Sequence, residues 1–301
     1  RIGNMWKIIS WNLAKEVRQS KVIRLHSVFK NAVNFLALDE AREERMFTLL
    51  REENVLAPDS LLLSECFFDK IIKICHNMKA DDNCYREMER MSVLLDERNY
   101  HSLYLPWEIR QIDETGLKKR MQILVDQFQK ILKKSALLQL PGEYPELLKQ
   151  LAAGYLAGNP DTICQAYLGL AGAGIGLTPS CDDAMVGVLA VLSVWLSCQD
   201  RGQESFYRLS GRLLDDLKKT KRTTAVSIKY LKNAIRGSFV QPLNRIVKWV
   251  MTGCACQTAE EVSHMSAIGH SSGVDTLYGV LTGLKVLTDW RLTADNGMKR
   301  R

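Results

Sequence analysis

No stretch of this chain reaches the ~20 consecutive apolar residues that a bilayer-spanning helix needs. The longest greasy run, Ala184 to Leu196, is shorter and begins beside Asp182 and Asp183. The opening segment RIGNMWKIISWNLAKEVRQSKVIRL mixes charges through its apolar residues and shows no signal-peptide core. A cytoplasmic protein is therefore expected. The 8 cysteines include no CxxC pair, so neither a disulfide framework nor a zinc ribbon is indicated, and they read as reduced thiols. Cys254 and Cys256 would open a soft-metal site, but no further Cys or His stands nearby at ligand spacing. A structural site wants about four ligands, and no metal ligand is assigned. Aromatics make up only 8% and do not interleave with the basic clusters at Lys218–Arg222 and Lys299–Arg301. A nucleic-acid platform needs that interleaving, so a nucleic-acid binder would rest on net charge alone.

What is present is ordinary globular composition: 301 residues, 46% apolar and 25% charged, with a net charge of +7. At about 150 residues per domain, two domains are expected. The positive excess suits small anionic substrates, acidic partner subunits, or a solvated surface. The first third carries short β-branched and aromatic runs, in Lys21–Asp39, MFTLLREE, SLLLSE and MSVLLDERNYHSLYLP, with a turn at Pro58-Asp59. These predict a small antiparallel β domain over about residues 20–105, interrupted by a helix near Cys66 to Met78. After Trp107 the apolar period lengthens to three and four. ETGLKKRMQILVDQFQKILKKS and YPELLKQLAAGYLAG read as amphipathic helices, and Asn159-Pro160 as an N-cap followed by the first helical residue. Further helices are expected at 180–196, 203–219, 224–236, 240–251 and 272–289. The fold class is α+β, with a β-rich domain over 1–110 and a helical domain over 111–301.

Two helix starts are related. SCDDAMVGVLAVL (180–192) aligns without gaps on SGVDTLYGVLTGL (272–284). Ser180 meets Ser272, Asp183 meets Asp275, Gly187 meets Gly279, and Leu192 meets Leu284. Ser-x-x-Asp before an apolar run is a capping-box-like start, and a glycine one turn later lets a backbone or a ligand come close. Two readings stand side by side. Either these are two capped, buried helices packed through Gly187 and Gly279, or two exposed helix N-termini face each other around one small anion. The preceding loops favour the second. Gly172, Gly174 and Gly176 supply more flexibility than a cap requires, and His270, Ser271 and Ser272 stand together between Gly269 and Gly273.

GAGIGLTPSCDDAMVGVLAVL, RTTAVSIKYLKNAIRG and IGHSSGVDTLYGVLTGL resemble, in order, the three signature stretches of the AllH-like proteins, and SVFKNAVNFLAL with the Pro58 turn also fits. The likeness covers about residues 20–290. Ile175 stands where the family usually has Pro, and Cys181 where it usually has Gly. The resemblance implies a subunit of an oxamate carbamoyltransferase, moving a carbamoyl group between carbamoyl phosphate and oxamate in oxalurate breakdown. It also implies a place in anaerobic purine or allantoin use, and FdrA-like and AllG-like partner subunits. The Ser-Thr-Arg-Thr phosphate loop of ordinary transcarbamoylases is missing, so any such chemistry uses a different site. The rival expectation is a non-catalytic assembly or regulatory subunit.

Carbamoyl transfer needs donors for the phosphate, a dipole aimed at the carbonyl oxygen, and a proton acceptor for the incoming nitrogen. The candidates for holding the anion are the backbone from Gly174 through Gly176 to Ser180, the Thr178 and Ser180 hydroxyls, and Ser271, Ser272 and Gly273. Arg222, Thr223 and Thr224 are a further candidate contact. His270 would polarise the carbonyl or take the proton. Asp183 and Asp275 would fix the loops, or bind the substrate's amino group or a Mg²⁺ ion.

Overall fold

The computed structural model describes residues 6–10, 20, 22–38, 44–51, 56–78, 100–101, 103–199 and 203–298. The chain forms two compact units, Arg1–Leu103 and Tyr104–Arg301.

The first unit is a six-stranded sheet. Its strands are β1 (Trp6–Ser10), β2 (Val22–Val28), β3 (Ala32–Leu38), β4 (Glu44–Leu50), β5 (Ser60–Leu63) and β6 (Tyr100–His101), and one helix, α1 (Glu65–His76), follows β5. Their order is β2-β3-β4-β5-β1-β6. The hairpin β2–β3 and the pairs β3–β4 and β1–β5 are antiparallel, as expected. The pairs β4–β5 and β1–β6 run parallel, so the sheet is mixed rather than wholly antiparallel. The physical reason lies in the connection from β4 to β5. It re-enters the sheet through the Pro58-Asp59 turn in the same direction instead of folding back as a hairpin. Alternation sorts the side chains. Val33, Phe35 and Phe47 join the core that receives Phe68, Ile71 and Cys75 of α1, and Phe35 stacks on Phe47 at 5.4 Å. On β3, Asn34 is buried by pairing, giving a hydrogen bond to Ser27 and accepting one from Thr48 at 2.7 Å. The run 91–99, read as a strand, lies outside the described residues.

The second unit is helical: α2 (Leu105–Glu108), α3 (Glu114–Gln129), α4 (Glu143–Ala157), α5 (Pro160–Leu170), α6 (Ser180–Ser197), α7 (Gln203–Thr220), α8 (Ala225–Ile235), α9 (Gln241–Thr252), α10 (Thr258–Ser266) and α11 (Ser272–Met298). The Asn159-Pro160 start is built as the sequence predicts, and side-chain caps form at two more starts. Asn159 accepts from the N–H groups of Asp161 and Thr162 with Pro160 at the first helical position, Asp113 accepts from Gly116, and Thr224 accepts from Ser227. Helix α6 is the centre of this unit. It is the one described helix long and apolar enough to cross a membrane, and 83% of it is buried here among the other helices. Its closest neighbour is α11. The contact is made by the paired glycines: a Cβ at Gly187 would lie 1.9 Å from the Thr276 carbonyl oxygen, and one at Gly279 would lie 1.9 Å from that of Ala184. The two backbones touch there, and only glycine permits it.

Candidate functional site

The crossing of α6 and α11 brings their N-terminal ends together with the loops that precede them. Before α6 the chain passes through Gly172, Gly174 and Gly176 with φ of +78°, +113° and +99°. These are left-handed values that residues with side chains rarely adopt. The loop is then tied down by main chain. Cys181 N–H donates to the Ala173 carbonyl at 3.1 Å, and the N–H groups of Asp182 and Asp183 donate to the Pro179 carbonyl at 2.9 and 3.1 Å. The expected capping box is displaced by one residue. Pro179 is the N-cap and makes no side-chain cap, so Ser180 is already inside the helix and buried. Proline takes this place because its fixed φ suits a helix entrance and its absent N–H is not missed. Before α11 the same pattern recurs, with Asp275 N–H donating to the Ser271 carbonyl at 2.8 Å. The repeat seen in sequence is therefore a repeat in hydrogen bonding.

Three buried carboxyl groups line this junction. Asp182 has both oxygens occupied: Oδ1 accepts from Gly172 N–H at 2.9 Å, and Oδ2 accepts from the Thr223 hydroxyl. Burial raises its pKa, and the Thr223, Gly172 and Ser227 donors draw it back. Asp183 is 5% exposed, and burial pushes its carboxyl well above the usual range. The hydroxyls of Ser272 and Thr178, one from each loop, counter that rise, while the Asp275 and Asp182 charges add to it. Its Oδ2 is buried without a hydrogen-bond partner. Asp275, fully buried, accepts through Oδ1 from Ser135 Oγ at 2.6 Å and from Leu137 N–H at 3.1 Å, and its Oδ2 is likewise without a partner. The surroundings register this charge. Burial, then Asp182 and Asp275, push the Cys181 thiol up to about 12. Burial and then Asp183 push Tyr230 up to about 12.

Thr178 and Ser272 are half-buried, as is Ser271, and His270 is exposed beside them. Gly174 backs onto Ser180, where a Cβ would stand 2.5 Å from the backbone nitrogen, and Gly176 is in open space. Gly273 lies against the Met265 carbonyl of α10. The third candidate group turns inward. Arg222 donates to the Leu168 carbonyl at 2.7 Å, Thr223 to Asp182, and Thr224 to the Leu177 carbonyl while capping α8. These residues brace the glycine loop. Sequence reasoning gave no notice of Ser135, which lies far away in the chain, or of Tyr230. A serine in a lysine-flanked stretch carries no signal that it will anchor a carboxylate from another helix.

An open cleft of about 680 Å³ lies at the opposite end of α6, lined by residues including Arg110, Asp113, Glu114, Trp195, Cys198 and Gln199. Its carboxylates are solvent-exposed, and Asp113 pairs with Arg120 and Glu114 with Arg291. The unspent buried chemistry is at the loop junction instead. Among the described residues, no group of three or more His, Cys, Asp or Glu side chains is arranged to hold a metal ion.

Comparison with known families decides the kinship. Residues 170–284 match the model of the oxamate carbamoyltransferase subunit AllH, and residues 6–99 match the AllH family N-terminal domain. The chain belongs to the AllH family. The first AllH match opens at Leu170, just before the glycine loop, and closes at Leu284 on α11, so it contains both loops and both related helix starts. The second spans β1 to β5 and α1 and ends just before β6. Membership of this family carries the role of a subunit in an oxamate carbamoyltransferase, and hence of a multi-subunit assembly. No solved structure matches the chain.

Proposed function

We propose that this AllH-family subunit carries a small-molecule site between the loops 172–178 and 269–273, used in carbamoyl transfer between carbamoyl phosphate and oxamate. One observation supports it above others: a single buried carboxyl group, Asp183, is met by a hydroxyl from each loop, Thr178 and Ser272. Paired caps alone do not require the loops to converge on one group. In the transfer, the oxamate nitrogen attacks the carbamoyl carbon, the C–O bond to phosphate breaks, and its electron pair leaves on the phosphate. The proton released from nitrogen passes to His270, which is exposed at the mouth. Ser271 and the loop N–H groups donate to the anionic groups, while Thr178 and Ser272 stay on Asp183, which with Asp275 holds the loops. FdrA-like and AllG-like chains complete the assembly, in oxalurate breakdown within purine or allantoin use, in the cytoplasm.

A second reading has its own support. Gly187 and Gly279 serve helix packing, Arg222 to Thr224 brace a loop, and the loop tip bears Ile175, 83% exposed. An assembly subunit that presents this tip to a partner would use the same features. Replacing His270 with Ala and Asp183 with Asn in the assembled complex separates the two. Loss of turnover with assembly intact and no fall in melting temperature supports a site. Parallel loss of stability or assembly reduces the residues to well-made helix ends.

A further inference from the structure

Among the described residues of the helical unit, two buried carboxyl oxygens have no hydrogen-bond partner: Asp183 Oδ2 and Asp275 Oδ2. They occupy equivalent positions in the two related helix starts. Their neighbour Asp182 shows what a purely structural carboxylate looks like here, with a donor on each oxygen. A buried polar atom without a partner bears its full desolvation cost, and that cost, present twice at one junction, points to a missing donor.

The chemistry of that donor can be narrowed. A bare anion brings acceptors only and would face carboxyl oxygens. A metal ion would want more hard ligands than the junction gives, since no group of three acidic, histidine or cysteine side chains assembles among the described residues. Burial, with the Asp275 and Asp182 charges adding to it, raises the Asp183 carboxyl well above its usual range and favours its protonated form. The pair then offers one acceptor and one O–H donor. The matching partner has an N–H donor beside a carbonyl acceptor.

We propose that Asp275 Oδ2 and Asp183 Oδ2 together bind the edge of a primary amide or carbamoyl group, its amide N–H and its carbonyl oxygen, which enters between Thr178 and Ser272. This rests on the reading that the paired loops hold the substrate, and it names the part of the substrate they recognise. Asp275 Oδ2 accepts the N–H, and the Asp183 carboxyl faces the carbonyl oxygen.

Oxamate and pyruvate provide the test, because they share charge and shape and differ by an amino group in place of a methyl. Calorimetry on the full chain is expected to show oxamate bound about tenfold tighter or more, the worth of a hydrogen bond to a charged group. Asp275→Asn is the informative variant. Ser135 Oγ and Leu137 N–H both donate to Oδ1, so the amide oxygen must stay there and the amide nitrogen must occupy the Oδ2 position. A donor then faces the ligand's donor, and the preference is expected to collapse to about twofold or less with the melting temperature maintained. Equal binding of the two ligands by the wild type, binding of neither, or a preference that survives Asp275→Asn overturns the proposal. Mg²⁺ binding that Asp275→Asn abolishes, without any oxamate preference, also overturns it in favour of a cation. An inactive complex that still shows the oxamate preference removes the catalytic reading and keeps the subsite. Turnover that depends on His270, without the preference, does the reverse.

Discussion

Asp182, Asp183 and Asp275 are the same chemical group in three different situations, and their neighbours make the difference. Asp182 is fully engaged by Gly172 N–H and Thr223, and so fastens the glycine loop to the start of α8. Thr223→Val is expected to leave a buried carboxyl oxygen without its hydroxyl donor and to cost about 2 kcal/mol, read from the urea midpoint at constant slope. A change below about 0.5 kcal/mol, the ordinary range for surface substitutions, would show the bond to be dispensable. Residue chemistry alone marked Asp183, Asp275, Thr178 and Ser272 as candidates, because acids and hydroxyls beside glycines at a helix entrance are unusual. It could not separate Thr223, which points at a carboxylate, from a ligand contact. A hydroxyl before a helix looks the same in sequence whether its acceptor is protein or solute.

Among the elements, α6 and α11 govern the arrangement. Their glycines place the two backbones in contact, and that contact sets where the two loops meet. Gly187→Ala would drive a methyl group to 1.9 Å from the Thr276 carbonyl. Overpacking of this kind is expected to cost about 3 kcal/mol, with a melting temperature lower by several degrees. Gly211 on α7 is the control, since a Cβ there meets nothing within 4 Å. Gly211→Ala is expected to stabilise by about 0.5–1 kcal/mol through helix propensity. If both variants melt alike, the crossing is looser than a backbone-to-backbone contact. The short α2 and α10 were not expected, but most of the helices were legible from apolar period and from Asn159-Pro160. The cap before α6 was not, because Ser-x-x-Asp fits two registers and only Pro179, one residue earlier, selects between them. The parallel strand pairs were equally hidden, since a strand's own pattern is the same in either direction.

For the whole molecule, the buried carboxyl groups leave a pH signature. Burial raises the folded-state pKa of Asp183 and Asp182 above the unfolded value, so the folded protein holds these protons more tightly. Their contribution favours folding most at low pH and is lost as pH climbs from about 4, the unfolded carboxylate value, through the raised folded value. The melting temperature of Asp183→Asn minus that of the wild type is therefore expected to grow as pH rises from about 4 toward about 8. A flat difference would mean that Asp183 ionises without penalty. By itself, the amino-acid sequence determined the α+β class, the places of most helices, the kinship of the two helix starts and the AllH resemblance. All of these are written in local period, in turn residues and in motifs a few residues long. Tertiary structure alone decided that the two starts meet, that Ser135 and Leu137 hold one oxygen of Asp275, and that one oxygen on each of two acids is left over. Those facts depend on which segments, up to 140 residues apart, close-packing forces into the same few ångströms, and no local pattern encodes that.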